Sequence, residues 1–179
     1  MSRGGASSTE VVFSGGQFGA GWHDSSYNAR PFTSSAPAGK DSGTAWCNYL
    51  PKDAATSFWG PQGAFSGRRA LEFWAYAGDQ GVADLDLLLY GASANACSRV
   101  ALSELSVVES SGGWVKYWVD LYRFSWEQQG GGGGGGSPSF SGCGSSGTSA
   151  GELVKLDLLN LRHPEYEALL CIDNVRLVA

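Results

Sequence analysis

The stretch LEFWAYAGDQGVADLDLLLYG, residues 71–91, contains two runs in which apolar and polar side chains alternate, separated by a break with two glycines. Successive side chains of a β-strand point to opposite faces, so every second residue shares a face. In the first run Leu71 and Phe73 share one face, and in the second run Leu87 and Leu89 do. This pattern predicts two strands that each turn one face toward an apolar core.

The same combination of a short apolar run and a Gly/Ser/Asn/Asp break recurs along the chain, and it is typical of β-sandwiches and barrels. Helical periodicity is almost absent, with one short helical piece allowed near residues 103–109. Val119 and Ile172 join the four residues above as expected core. We predict strands at about residues 10–13, 44–49, 71–76, 85–90, 99–102, 115–121, 154–161 and 169–178.

Residues 128–151 differ from the rest of the chain because they include seven consecutive glycines, followed by a Ser/Gly-rich stretch. Such a segment buries too little apolar surface to offset its chain entropy. The remaining residues, 152–179, are too few for a second domain and contain the last two predicted strands. We therefore predict a single domain over residues 1–179, with a flexible Gly-rich loop at 128–151.

The composition is rich in aromatic side chains and poor in charge. Aromatic residues make up 12% of the 179 residues, seven of them Trp, while charged residues make up 16% and the net charge is −5. Flat rings with few charges suit neutral, hydroxyl-rich ligands, although a sandwich also uses aromatic residues in its core. No basic cluster exceeds Arg68-Arg69, which argues against nucleic acid and anionic membrane surfaces as partners. No apolar run is long enough to span a membrane.

The four cysteines allow two disulfides in three connectivities. Cys97 and Cys143 lie in loop-like sequence, whereas Cys47 and Cys171 lie in strand-like sequence. Pairing like with like predicts Cys97–Cys143 and Cys47–Cys171. Four reduced, partly buried thiols are the alternative, and a zinc site is disfavoured because no C-x-x-C pair occurs.

Six residues form the candidate binding surface. They lie on the non-core face of three predicted strands, and they would form one platform of rings and hydrogen-bonding groups if those strands share a sheet. In the alternatives, a loop or a neighbouring domain covers the rings, or Trp74 and Trp118 lie in the core. The six residues are Trp74, Tyr76, Asp86, Tyr90, Lys116 and Trp118.

The other tryptophans have mixed expectations. Trp22 and Trp59 lie in loop-like sequence, from which each can reach over the rim of a cleft, although Trp22 is expected to be a structural plug. Trp114 follows two glycines at the start of a strand and is also expected to be structural.

The sequence has no G-x-S-x-G, P-loop or H-E-x-x-H motif. Glycoside cleavage requires two carboxyl groups that flank a cleft. Four acidic residues lie on or beside the predicted strands and are candidates to converge, although solvated charge at a strand edge is the preferred explanation for them. They are Glu72, Asp84, Asp86 and Asp120.

Four segments together resemble the β-jelly-roll modules of the carbohydrate-binding-module type, which are galactose-binding-like sandwiches found beside carbohydrate-active enzymes. These segments occur in the order expected for such modules and are spread over most of the chain outside the glycine-rich stretch. The resemblance implies an antiparallel β-sandwich of jelly-roll type. The segments are VVFSGGQFGAGWHDSSYNAR (11–30), GRRALEFWAYAGDQGVADLDLLLYG (67–91), WVKYWVDLYRF (114–124) and CIDNVRLV (171–178).

Modules of this kind often carry a structural calcium ion, and the matching carboxylates would be Glu10, Asp24 and Asp173. An Asp173-Asn174 turn or bulge bonded to the backbone explains the last position equally. The chain departs from the pattern at Ser25-Ser26-Tyr27, where a second tryptophan is expected.

The sequence thus predicts non-catalytic binding of a polysaccharide or cell-surface glycan. Trp74, Tyr90 and Trp118 would stack on sugar rings, while hydroxyl groups would bond to Asp86, Lys116 and Tyr76. A structural or protein-contact module of an extracellular matrix and a small polysaccharide-cleaving enzyme are the alternatives. The N-terminus lacks the apolar stretch of a signal peptide. We expect an extracellular or cell-wall location, as an excised module of a larger secreted protein; a cytosolic protein is the alternative.

Overall fold

The computed structural model is an antiparallel β-sandwich, which confirms the predicted fold class. Two sheets pack face to face around one core, and every pairing between the strands is antiparallel. The structure describes residues 9–38, 44–76, 82, 84–92, 97, 99–124, 142–143, 148–161 and 168–179, with only the backbone described at 31–38, 142 and 148. Strands are numbered in chain order.

The larger sheet has eight strands, with β10, β11, β7, β15, β1 and β2 in succession. The long strand β15 pairs with β7 along one side, and on its other side it pairs first with β5 and then with β1. Strand β4 extends the sheet beyond β5. The strands are β1 (Glu10–Ser14), β2 (Gln17–Phe18), β4 (Arg30–Ala38), β5 (Thr44–Leu50), β7 (Ala70–Tyr76), β10 (Val107–Ser111), β11 (Trp114–Asp120) and β15 (Ala168–Val178).

The smaller sheet has five strands in the order β3-β6-β14-β8-β9. Its strands are β3 (His23–Asp24), β6 (Ala55–Trp59), β8 (Asp86–Gly91), β9 (Val100–Ala101) and β14 (Leu153–Leu159). Residues 25–27 continue alongside β6, because the backbones of Tyr27 and Ala55 bond to each other in both directions. Within the described part of the chain, short 3-10 helices lie at Leu102–Glu104, Leu121–Phe124 and Ala150–Glu152.

The main core lies between the two sheets and is filled by the alternate residues that the sequence pattern predicted. Its members include Leu71, Phe73, Leu87, Leu89, Val119 and Ile172, all at most 1% exposed. One smaller apolar cluster lies on the outer side of each sheet, opposite the main core. These outer clusters mark the surfaces on which a binding site must be sought.

All eight predicted strands are present, and the main additions are β4, β6 and β10. Strand β10 and the 3-10 helix Leu102–Glu104 occupy the stretch where a short helix was expected. Strand β4 contains Pro31 and Pro37, residues that lack the N–H needed in a central strand. It pairs with β5 alone, and an edge position of this kind tolerates proline.

Both predicted disulfides are present, so the pairing of like with like is confirmed. Cys47 and Cys171 face each other directly across β5 and β15. Cys97–Cys143 ties the segment after β8 to a small hairpin of β12 (Gly142–Cys143) and β13 (Thr148–Ser149). This hairpin lies within the predicted Gly-rich loop, whose residues 128–141 and 144–147 lie outside the described part of the chain. No helix among the described residues has the length and apolar character to cross a membrane.

Candidate functional site

The outer surface of the smaller sheet, here called the five-strand face, presents its side chains in three rows. The register of β6, β14 and β8 places residues of the same row beside one another. Adjacent strands lie about 4.8 Å apart, so each row is a continuous strip of side chains. The rows are Trp59–Lys155–Tyr90, Ser57–Asp157–Leu88 and Ala55–Leu159–Asp86.

Asp157 is the centre of the five-strand face and is 0% exposed. Its carboxylate accepts hydrogen bonds from the Ser57 hydroxyl and, at 3.0 Å, from the Tyr27 hydroxyl. The Lys155 ammonium lies 3.6 Å away. Burial raises the pKa of Asp157, while the hydrogen bond from Ser57 and the charge of Lys155 act in the opposite direction. A buried carboxylate with three polar partners in one place is a rigid anchor for the groups around it.

Lys155 is held between two aromatic rings. Its Nζ atom lies 4.9 Å from the ring centre of Tyr27 and 5.1 Å from that of Tyr90, both within the range of cation–π attraction. The pKa of each tyrosine is raised, first by burial and then by the negative charge of Asp157. Both phenols therefore stay protonated at neutral pH and can donate hydrogen bonds.

The surface shape of the five-strand face suits a flat ligand. Its middle is a buried floor formed by the polar residues Ser57 and Asp157 and by the apolar residues Ala55, Leu88 and Leu159. The rings of Tyr27, Trp59 and Tyr90 are half-buried and border this floor, so part of each ring remains open to solvent. Half-open rings around fixed polar groups give both an apolar surface and hydrogen-bonding groups to a ligand.

The six residues predicted as one platform are divided between the two outer faces. Tyr90 and Asp86 lie on the five-strand face, where Asp86 is 2% exposed. The other four lie on the far side of the sandwich, on β7 and β11. The expectation of one continuous platform is therefore wrong, because β8 belongs to a different sheet from β7 and β11.

The outer surface of the larger sheet, here called the eight-strand face, buries two of its tryptophans. Trp74 is 7% exposed and Trp114 is 5% exposed. Both pack with the Cys47–Cys171 disulfide, and Tyr76 meets the Trp114 ring edge-on at 5.6 Å. Trp74 is therefore part of a second apolar cluster and presents little ring surface to a ligand. Lys116 and Trp118 are half-buried on the same face.

Sequence reasoning missed the residues that organise the five-strand face. Tyr27, Ser57, Lys155 and Asp157 were not selected, although Lys155 and Asp157 alternate with apolar residues in LVKLDLL. That alternation was the available signal. The expected structural roles of Trp22 and Trp114 are confirmed, since both are buried. Trp22 also donates a hydrogen bond from Nε1 to Glu10 at 3.1 Å.

The three carboxylates expected to hold calcium do not come together. Asp24 belongs to the smaller sheet, where it accepts bonds from Ser26, whereas Glu10 pairs with Arg68 at 3.6 Å in the larger sheet. Asp173 accepts bonds from the backbone N–H groups of Gly15 and Asn174, at a bulge. No group of three His, Cys, Asp or Glu suited to a metal occurs among the described residues. This trio does not fit a calcium ion, and any calcium dependence stays a prediction.

The four carboxylates considered for catalysis do not meet in one place either. Glu72 and Asp120 lie on the eight-strand face, where Glu72 pairs with Lys116 at 3.1 Å and Asp120 accepts the Trp118 indole N–H at 3.3 Å. Asp86 lies on the opposite face. Asp84 accepts a bond from the Ser103 N–H at 3.1 Å, outside both faces.

Solved structures with a similar fold include carbohydrate-binding modules of family 29. A variant of one such module in complex with cellohexaose matches at a TM-score of 0.54 and 13% identity, over 95% of this chain and 89% of that one. A variant in complex with mannohexaose matches at 0.52 and 12%, over 95% and 90%. A family 29 module from Piromyces equi matches at 0.52 and 8%, over 97% and 91%. No family model and no curated protein matches the sequence.

Proposed function

We propose that this domain binds neutral polysaccharide chains, without catalysis, through the five-strand face. The observation that carries the proposal is the arrangement of Tyr27 and Tyr90 on either side of Lys155, above the buried Asp157. Sugar rings present apolar C–H faces and polar hydroxyl edges, so they need open aromatic rings beside fixed donors and acceptors. All of these groups lie within three strand spacings on this face.

The fold supports the same ligand class. Two variants of a family 29 module with this fold are in complex with cellohexaose and mannohexaose, which are neutral chains of six sugars. We therefore propose neutral hexose polymers as the ligand class, with Tyr90, Trp59 and Tyr27 stacking on sugar rings and Lys155 donating to hydroxyls. A shallow, solvated site of this kind predicts affinities on the order of µM to mM.

We also propose that the domain works outside the cell, attached to further domains of a secreted protein. Two disulfides support this location because disulfides persist in oxidising compartments. A structural or protein-contact module would share the location and the fold, and the binding experiment distinguishes the two functions.

The deciding experiment is isothermal titration with cellohexaose and mannohexaose, combined with pull-down on insoluble polysaccharides. We expect Tyr90→Ala to weaken binding at the five-strand face at least about tenfold, the equivalent of about 1.4 kcal/mol. The matched control is Tyr49→Ala, which removes a tyrosine that is 39% exposed on the larger sheet. Titration with and without calcium tests the predicted cofactor. Equal binding by wild type and Tyr90→Ala, or no binding to any glycan, would refute the proposed function at this face.

A further inference from the structure

A row of side chains on the eight-strand face is arranged like a second site. The strand register places Val11 beside Arg176, Arg176 beside Glu72, and Glu72 beside Trp118, across four neighbouring strands. Trp118 is half-buried, and the hydrogen bond from its Nε1 to Asp120 holds one edge of the ring at 3.3 Å. The ring is thus open in part and fixed in orientation, as a stacking surface for a sugar requires.

Two polar groups beside this ring can serve vicinal hydroxyls. Lys116 Nζ and Glu72 Oε2 lie 3.1 Å apart, with 24% and 15% of their side chains exposed. The ammonium offers donors and the carboxylate offers acceptors within one hydrogen-bond length of each other. A sugar hydroxyl needs both kinds of partner because it donates and accepts.

Arg176 adds an unsatisfied donor to the row. Among the described residues, its buried Nε has no hydrogen-bond partner and its guanidinium has no ion-pair partner. A buried donor without a partner is unfavourable. A ligand hydroxyl oxygen would supply the missing acceptor once the Arg176 side chain turns its Nε toward the surface.

The charges of this row favour a neutral ligand. Lys116 and Arg176 are balanced by Glu72 and Asp120, so the local field selects neither a cationic nor an anionic sugar. This balance points to the same ligand class as the five-strand face.

We propose that the eight-strand face carries a second site for a neutral glycan, at Trp118, Lys116, Glu72 and Arg176. For its ligand class the proposal rests on the function proposed above. The two sites lie on opposite sides of a sandwich whose sheets pack about 10 Å apart, and they face in opposite directions. A single domain would therefore bind two polysaccharide chains at once and join them.

The stoichiometry of titration tests this proposal, using whichever of cellohexaose and mannohexaose the wild type binds. We expect two ligands per wild-type chain and one ligand per chain in Trp118→Ala. Tyr90→Ala should also keep one ligand, and the double variant should bind none. Tyr49→Ala is the control that keeps both sites. Circular dichroism and urea unfolding of each variant establish that the fold is intact.

A second measurement follows the joining of chains by light scattering with a soluble polysaccharide of the ligand's composition. Wild type should raise the scattering, and Trp118→Ala should bind the polysaccharide without raising it. One ligand per wild-type chain, lost in Tyr90→Ala and unchanged in Trp118→Ala, would overturn the second site and leave the proposed function standing. One ligand lost only in Trp118→Ala would overturn the two-site proposal and the proposed location together. No binding by the wild type would overturn both proposals.

Discussion

The two outer faces of this sandwich use aromatic residues in opposite ways. On the five-strand face the rings of Tyr27, Trp59 and Tyr90 are half-open around a buried polar centre. On the eight-strand face Trp74 and Trp114 are themselves buried, against a disulfide. A ring that points away from the core is therefore not always a ring that reaches solvent. The size of its neighbours on the adjoining strands decides how much of the ring remains open.

Trp74 and Trp118 illustrate this rule within a single face. Trp74 lies on β7 with neighbouring strands on both sides, and it packs with Trp114 and the Cys47–Cys171 disulfide. Trp118 lies beyond the point where β10 ends its pairing with β11, so its only cross-strand neighbour in the register is Glu72. The first tryptophan is thus structural, and the second is half-open.

The largest expected effect is a loss of stability when the buried ring of Trp74 is removed. Trp74→Ala removes a buried ring from the outer cluster, and we expect the free energy of unfolding to fall by about 3–5 kcal/mol. Urea unfolding followed by circular dichroism measures this loss. The folded fraction of the variant should bind glycan at the five-strand face as the wild type does. A loss below about 1 kcal/mol would mean that the Trp74 ring is not a packed part of the fold.

The next largest effect is a loss of stability when Asp157, at the centre of the five-strand face, is replaced. Asp157→Ala leaves the hydroxyls of Tyr27 and Ser57 without their acceptor and Lys155 without its ion pair, so we expect a loss of about 1–3 kcal/mol. Asp157→Asn retains one acceptor oxygen and should lose less. Glu109→Ala, at an exposed residue of β10, is the control and should stay within about 0.5 kcal/mol of wild type. Equal stability of Asp157→Ala and wild type would contradict the network.

The sequence predicted the strands and the main core because alternation is a local property that survives in any all-β fold. It did not predict which strands share a sheet, since that depends on contacts between distant segments. Tyr90 was for this reason placed with Trp74, although β8 pairs with β14 and β9. Strand β6, ATSFW, was missed because its outward residues, Ala55 and Ser57, are small and interrupt the usual contrast of apolar and polar.

The two disulfides were predictable because cysteines in similar local contexts were paired. The candidate site was less predictable from the sequence, because its central residue is buried by a distant segment. Asp157 is on the outer side of its strand and still fully buried, since Tyr27 arrives from a segment 130 residues away to cover it. No local sequence pattern indicates the contact between Tyr27 and Asp157.

The titration of Asp157 gives the five-strand face its own contribution to the pH dependence of stability. The pKa of Asp157 is raised in the folded protein, so its protonated form is the one that folding favours. Its contribution to stability is fully present below the unfolded pKa near 3.8 and is lost as the pH rises through the folded pKa. Asp157→Asn lacks this titration. We therefore expect wild type to lose stability relative to Asp157→Asn over that window, as measured by urea unfolding at a series of pH values. Parallel curves for the two proteins would mean that Asp157 titrates normally.

The smallest expected effect is the most informative about the second site. Trp118 is half-buried and has a single cross-strand neighbour, so Trp118→Ala should cost clearly less stability than Trp74→Ala. Trp118→Phe keeps a stacking ring but removes the hydrogen bond to Asp120, which separates the ring's role from that of the indole N–H. If the eight-strand face binds a glycan, Trp118→Phe should retain part of the binding that Trp118→Ala loses. A loss of stability in Trp118→Ala comparable to that in Trp74→Ala would make Trp118 a structural residue, because a ring that holds the fold together is not available to a ligand.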